Sequence, residues 1–191
     1  FILSDPLIWT SLLLITLCSL TGRGLFDLLP FFTDGQYGAG ELGLTFSMSI
    51  VGAGAIMAGL VIPLFAKTQL SMRMLSLASV TGIALITLAM AFAASYWATV
   101  ALFFLLSICG TSAAIGCMSM IQMRTPKNRR TRVMGVWGLM SIAAMSIGAL
   151  IAGSLIEWFG VKASLIPLGL FCLAGAVWMA SRLMSDKALM A

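Results

Sequence analysis

Four of the polar side chains in a largely apolar run near the start of the chain share a helical spacing. In SLLLITLCSLTGRGLFDLLPFF (11–32), Thr16, Ser19, Arg23 and Asp27 follow one another at spacings of three, four and four. On an α-helix those spacings put all four on one face. Arginine presents a planar fork of donors suited to an anionic or hydroxyl-rich ligand, and a carboxyl in an apolar setting can take up and release a proton. Each charge costs about 2.5–3.5 kcal/mol near the centre of a bilayer, so the pair needs compensation. Two readings stay open: Arg23 and Asp27 neutralise each other at i, i+4, or they form a binding surface with a titratable group. Pro30 would loosen the helix end beyond them. Ser119 and Gln122, in GCMSMIQMR, could add further hydrogen bonds.

The elements that must carry these residues are membrane spans. Hydrophobic residues make up 61% of the 191 and charged ones only 9%, a balance that leaves a soluble domain without enough polar cover. Gly/Pro punctuation, charges and aromatic residues bound six expected spans: Leu7 to Thr33, Glu41 to Phe65, Met72 to Phe92, Tyr96 to Met123, Val133 to Trp158 and Ala163 to Met184. Long unbroken apolar runs close their own backbone hydrogen bonds as helices, so the fold class is an all-α integral membrane protein.

Basic residues set the expected orientation. Lys67, Arg73, Arg124, Lys127, Arg129, Arg130, Arg132, Arg182 and Lys187 would all fall on one side, while the other side holds Lys162 with Asp34, Glu41 and Glu157. Short cytoplasmic loops carry such an excess, which places both termini in the cytoplasm. The net charge of +5 then faces anionic lipid rather than nucleic acid.

Several chemistries are excluded or weakened. The chain has no histidine, which removes a Ser-His-Asp triad, a Cys-His pair and an HExxH zinc site. Cys18, Cys109, Cys117 and Cys172 lie inside expected spans without CxxC spacing, so they are read as packing residues, with no metal and no disulfide. GAGELG (38–43) fits the dinucleotide pattern, but no acidic residue follows at the required distance; its glycines are read as an outer loop, and no cofactor is expected. An intramembrane enzyme would need a convergent nucleophile and base that the sequence does not offer.

An internal repeat organises the rest. GAIMAGLVIPLF (54–65) lies over GALIAGSLIEWF (148–159) with six identities in twelve positions at an offset of 94 residues. Three spans separate the copies, so they cross in opposite directions as an inverted repeat, with residues 1–95 and 96–191 as its two units. Ala55 and Gly59, and again Ala149 and Gly153, give each copy a small-xxx-small packing face.

Three-plus-three inverted repeats within six spans are the build of one half of a major facilitator superfamily transporter. LLPFFTDGQYGAGELGLTFSMSIVGAGAIMAG resembles the seventh and eighth helices of that superfamily. IQMRTPKNRRTRVMGVWGLMSIAAMSIGALIAG resembles the tenth-to-eleventh helix region of bacterial drug and siderophore exporters related to the enterobactin exporter. Several relatives resemble this chain in carrying an arginine at the position of Arg23. KTQLSMR (67–73) departs from the family's inner loop motif by lacking its acid and glycine, so no gating salt bridge is assigned there.

The resemblance implies the C-terminal half of a secondary transporter in the inner membrane, exporting a small amphipathic organic molecule by proton antiport. Its substrate and proton pathway would comprise Arg23, Asp27, Ser19, Thr16, Ser119 and Gln122. A chain that begins at Phe1 and holds six spans where the family has twelve is expected to work with an N-terminal six-helix half or an equivalent unit. The competing reading is a six-helix membrane interaction module, which would need no buried charge.

The orientation predicts that Gln36→Cys is labelled by a membrane-impermeant thiol reagent from outside intact cells and Lys127→Cys is not, with the native cysteines replaced. Labelling of position 127 from outside contradicts the positive-inside argument.

Overall fold

The computed structural model describes residues 6–65 and 68–185, and within them the chain is helical with no strand. Five helices are long and apolar enough to cross a membrane. They are α1 (Pro6–Thr21), α2 (Gly40–Phe65), α3 (Gln69–Met90), α4 (Tyr96–Arg124) and α5 (Arg130–Ser185). Lys67 and Lys187, used above for orientation, lie outside the described residues.

The first span is not one α-helix as expected. After Thr21 the chain tightens into a 3-10 segment, Arg23–Leu28, and then widens into a π turn, Phe31–Gly35. Both changes have local causes. Gly24 sits so close to α5 that a β-carbon there would lie 2.8 Å from the Ala149 nitrogen, and Gly22 and Gly24 hold an α-helix only weakly. Pro30 has no N–H to continue the ladder, and just after it the Gln36 N–H reaches the Phe31 carbonyl at 2.9 Å. Gly38 and Gly40, with φ of 60° and 65°, make the short loop into α2, whose first N–H is taken by the Asp34 carboxylate at 3.2 Å. Thr68 and Ser95 cap α3 and α4 by accepting from Ser71 and Ala98 backbone N–H groups.

Fifty-six residues of straight helix would reach about 84 Å, well beyond a hydrocarbon core of about 30 Å. α5 is instead broken at Gly160, where φ is 80° and ψ 169°, a region that only glycine enters without strain. The expected turn around Phe159 to Lys162 is therefore confined to one residue. On its near side, Val133 packs with Ile8 and Leu12, Gly148 meets Leu20, and Gly153 meets Leu28, so the first arm runs parallel to α1. Beyond the break, Gly169 meets Leu88, Cys172 Sγ donates to the Val80 carbonyl at 3.8 Å, and Gly175 meets Leu17. The second arm thus returns antiparallel to α1 and α3.

α4 completes the pattern. It runs antiparallel to α1, with Ile121 beside Leu12 and Phe103 against Phe32, and antiparallel to α3, with Gly116 beside Ser76 and Cys109 beside Gly82. It runs parallel to α2, where Ser107 donates to the Val51 carbonyl at 2.7 Å. Arg73, Arg124, Lys127, Arg129, Arg130 and Arg132 consequently share the end where α1 starts. Asp34, Glu41, Glu157 and Lys162 share the other. Leu25, Phe32, Ile83, Phe103 and Met120 fill the core between α1, α3 and α4, together with Cys18, Cys117 and Cys172; all four cysteines are free.

The close-packing faces are shifted by one residue from the expected pairs. Gly54 with Ala58, and Gly148 with Ala152, are the buried positions; Ala55, Gly59, Ala149 and Gly153 are half-buried beside them. A β-carbon at Gly148 would strike the Leu20 carbonyl oxygen, and one at Gly54 would lie 2.9 Å from the Phe104 oxygen, whereas nothing lies within 4 Å at Gly59. Each copy offers two overlapping small pairs, and only the contact decides which one faces the neighbour. Gly148→Ala and Gly54→Ala should each lower stability by about 1–3 kcal/mol through overpacking. Gly59→Ala should be neutral or gain up to about 1 kcal/mol from helix propensity. Thermal unfolding of the purified protein checks all three; equal losses at 59 and 148 would contradict the assigned register.

Candidate functional site

Arg23 stands at the middle of the bundle. Gly110 lies fourteen residues from each end of α4, and a β-carbon built there would be 3.6 Å from Arg23 Cγ. The guanidinium is half-buried, and Nη1 donates to Ser141 Oγ at 3.4 Å, the long end of hydrogen-bond distances. Ser141, on the first arm of α5, also exchanges a hydrogen bond with Ser19 at 3.1 Å. One hydroxyl can donate once and accept twice, so Ser141 can hold Ser19 and Arg23 together. Most of the five guanidinium donors stay uncommitted.

The 3-10 segment changes which expected site residues share a face. At 3.6 residues per turn, positions 23 and 27 would differ by about 40°; at 3.0 they differ by about 120°. Arg23 and Asp27 accordingly form no ion pair with each other. The self-neutralising pair is absent because the backbone between its members is not an α-helix. Asp27 is exposed and about 8 Å further along the axis, at roughly 2.0 Å per 3-10 residue.

The remaining candidates divide. Thr16 is half-buried with its hydroxyl turned back to the Leu12 carbonyl at 2.8 Å, on the side of α1 that also leaves Trp9, Leu13 and Leu20 accessible. Ser19 is fully buried in the α1–α5 contact and lines no accessible surface. Ser119 and Gln122 follow Gly110 by nine and twelve residues, about 14 and 18 Å along α4, so they do not join Arg23. The Gln122 carbonyl instead receives Arg130 Nη2 at 2.8 Å.

Sequence reasoning misses Ser141, although the repeat carries the signal. Extending the 94-residue offset back by seven positions pairs Ser141 with Ser47. Ser47 is buried on α2 and hydrogen-bonds Tyr96 at the start of α4 at 3.1 Å. Tyr96 in turn donates to the Gly43 carbonyl at 2.8 Å, and Tyr37 reaches Thr99 and the Ala93 carbonyl, which ties the acidic end of α2 to α4.

Comparison with protein families decides the class, since the model of the Major Facilitator Superfamily matches residues 12–188. The chain belongs to the major facilitator superfamily. No curated protein and no solved structure gives a significant match. Membership makes this a multi-pass membrane protein of a transporter superfamily whose members bind small molecules within the bilayer. The superfamily assignment gives the half-exposed arginine at mid-depth its context: a charge at that level belongs against protein or a water-filled path, not lipid.

Proposed function

We propose that the chain forms a six-crossing transporter half and that Arg23 and Asp27 lie on its substrate and proton pathway. The observation that carries this reading is the mid-depth position of Arg23, half-buried and with Ser141 as its one long hydrogen-bond partner, beyond the side of α1 where Trp9, Leu13, Thr16 and Leu20 stay partly accessible. Lipid there would leave a charge unsolvated, at a cost of about 2.5–3.5 kcal/mol or more. A second six-helix unit, supplying the opposite wall of a cavity, removes the cost. Arg23 then offers donors to an anionic or hydroxyl-rich group of a small amphipathic molecule such as a siderophore or drug. Asp27, on the acidic side of it, exchanges a proton with water when the cavity opens toward that end.

Treating the two arms of α5 separately supports six crossings, since the arms run antiparallel on either side of Gly160. Alternation of all six directions supports a three-plus-three inverted repeat, as does burial. From 51 to 62 every position has the burial class of the position 94 residues later, Val61 against Leu155 excepted. Each middle helix docks on the first helix of the other unit through matched residues, Ser47 and Gly54 on α4, Ser141 and Gly148 on α1. Two such units rocking against a partner half would give alternating access. Basic loops toward the cytoplasm of the plasma or inner membrane, proton coupling and outward transport complete the proposal.

In cells or proteoliposomes carrying the full-length protein, Arg23→Ala should raise the half-saturating substrate concentration about tenfold or more, consistent with loss of a charge-assisted contact. Asp27→Asn should leave a folded protein whose transport no longer depends on the proton gradient. If both single variants transport with unchanged affinity and coupling, the pathway assignment is wrong.

A further inference from the structure

The basic end of the bundle holds two arginines that the transport pathway leaves unused. Arg73, on the second turn of α3, is only 8% exposed, and its Nε is buried without a hydrogen-bond partner. Arg124, the last residue of α4, has its Nε in the same condition. A guanidinium cannot shed its charge, and a buried N–H that lacks a partner on it is well matched to an anion. Among the described residues none is near: Asp27, Asp34, Glu41 and Glu157 all lie toward the opposite end.

Register places the two on neighbouring helices at the same end. α3 and α4 are antiparallel, with Ser76 beside Gly116 and Gly82 beside Cys109. That register sets Arg73 level with Met118 and Ser119, and puts Arg124 about 8 Å nearer the basic end. Side chains lean toward the N-terminus of their own helix. Arg73 therefore leans toward the end of the bundle and Arg124 leans back from it, which closes the gap between them. The first-turn amides of α3 that Thr68 does not cap face the same end, adding partial positive charge. Next to each arginine stands an exposed methionine, Met74 at 51% and Met123 at 52%.

We propose that Arg73 and Arg124 bind the phosphate of an anionic lipid headgroup, with its acyl chains lying over Met74 and Met123. A phosphate oxygen pair matches the guanidinium fork, and basic pockets between helices near a membrane surface are suited to such headgroups. A soluble phosphate shares that chemistry. The lipid is favoured by the apolar residues flanking both charges and by the position at the helix ends, where headgroups lie. At Arg124 the site is about 21 Å along α4 from Gly110, so it stands or falls separately from the Arg23 pathway.

The test compares thermal unfolding of the full-length protein in nanodiscs of phosphatidylcholine alone and of phosphatidylcholine mixed with phosphatidylglycerol. The anionic lipid should raise the melting temperature by several degrees, through selective binding to the folded state. Arg73→Gln and Arg124→Gln should each lose that rise, while Lys127→Gln, on the exposed loop, should keep it. Should Arg73→Gln prove too unstable to purify, native mass spectrometry reads the same site, with phosphatidylglycerol retained by the wild type and released by Arg124→Gln. No lipid-dependent rise in the wild type, or a rise that survives both substitutions, overturns the proposal. An equal rise from inorganic phosphate in neutral nanodiscs overturns the lipid assignment. Destabilisation in neutral lipid by Asp5→Asn or Asp186→Asn, equal to that by Arg73→Gln, would give the arginine a carboxylate of its own chain and would also overturn it.

Discussion

A guanidinium at the centre of an apolar bundle constrains the elements around it. Arg23 stays charged in any protein environment, so the chain can hold it there only with polar contact on one side and access to water or ligand on the other. The polar contact is Ser141, and it reaches Arg23 because α1 and α5 approach at backbone distance through Gly24 and Gly148. That approach coincides with the change from α-helix to 3-10 helix at Arg23. The same change turns Asp27 away and leaves the guanidinium without an internal counter-charge. A charge with one weak intramolecular partner is poised for an external one.

Close approaches of this kind occur twice. Gly54 brings α2 onto α4 as Gly148 brings α5 onto α1, and a buried serine lies seven residues before each glycine. The two contacts differ in what the serine finds. Ser47 meets Tyr96 near the acidic end and closes a neutral network, whereas Ser141 meets Ser19 and the arginine at mid-depth. A shared packing scheme thus carries a structural lock in one copy and the charged site in the other. The difference originates in α1, whose regular helix ends at Thr21, while α4 continues unbroken to Arg124.

The sequence made the helical class and the ends of α2 and α4 legible, because hydrophobic run length, caps and glycines act locally. It did not reveal the 3-10 segment: Gly22 and Gly24 weaken a helix without saying what replaces it, and the α5 backbone that closely approaches Gly24 lies 125 residues away in the chain, at Ala149. For the same reason Ser119 and Gln122 looked available to Arg23 although they stand within about a turn and a half of the basic end of α4. The choice between Ala55 with Gly59 and Gly54 with Ala58 was equally hidden, because both pairs satisfy one spacing and only a neighbouring helix distinguishes them. Arg23 itself was legible because a charge inside a span is costly wherever it lies.

The central claim is that the face of α1 carrying Thr16, Leu20 and Arg23 borders a water-accessible path, while the outer face of α3 borders lipid. Charged thiol reagents react with cysteines in water and not with cysteines in hydrocarbon. With Cys18, Cys109, Cys117 and Cys172 replaced in the full-length protein, the account predicts rapid modification of Thr16→Cys and Leu20→Cys and negligible modification of Leu85→Cys, an exposed position on α3. Modification at 85 with protection at 16 and 20 would place lipid against Arg23 and contradict the account.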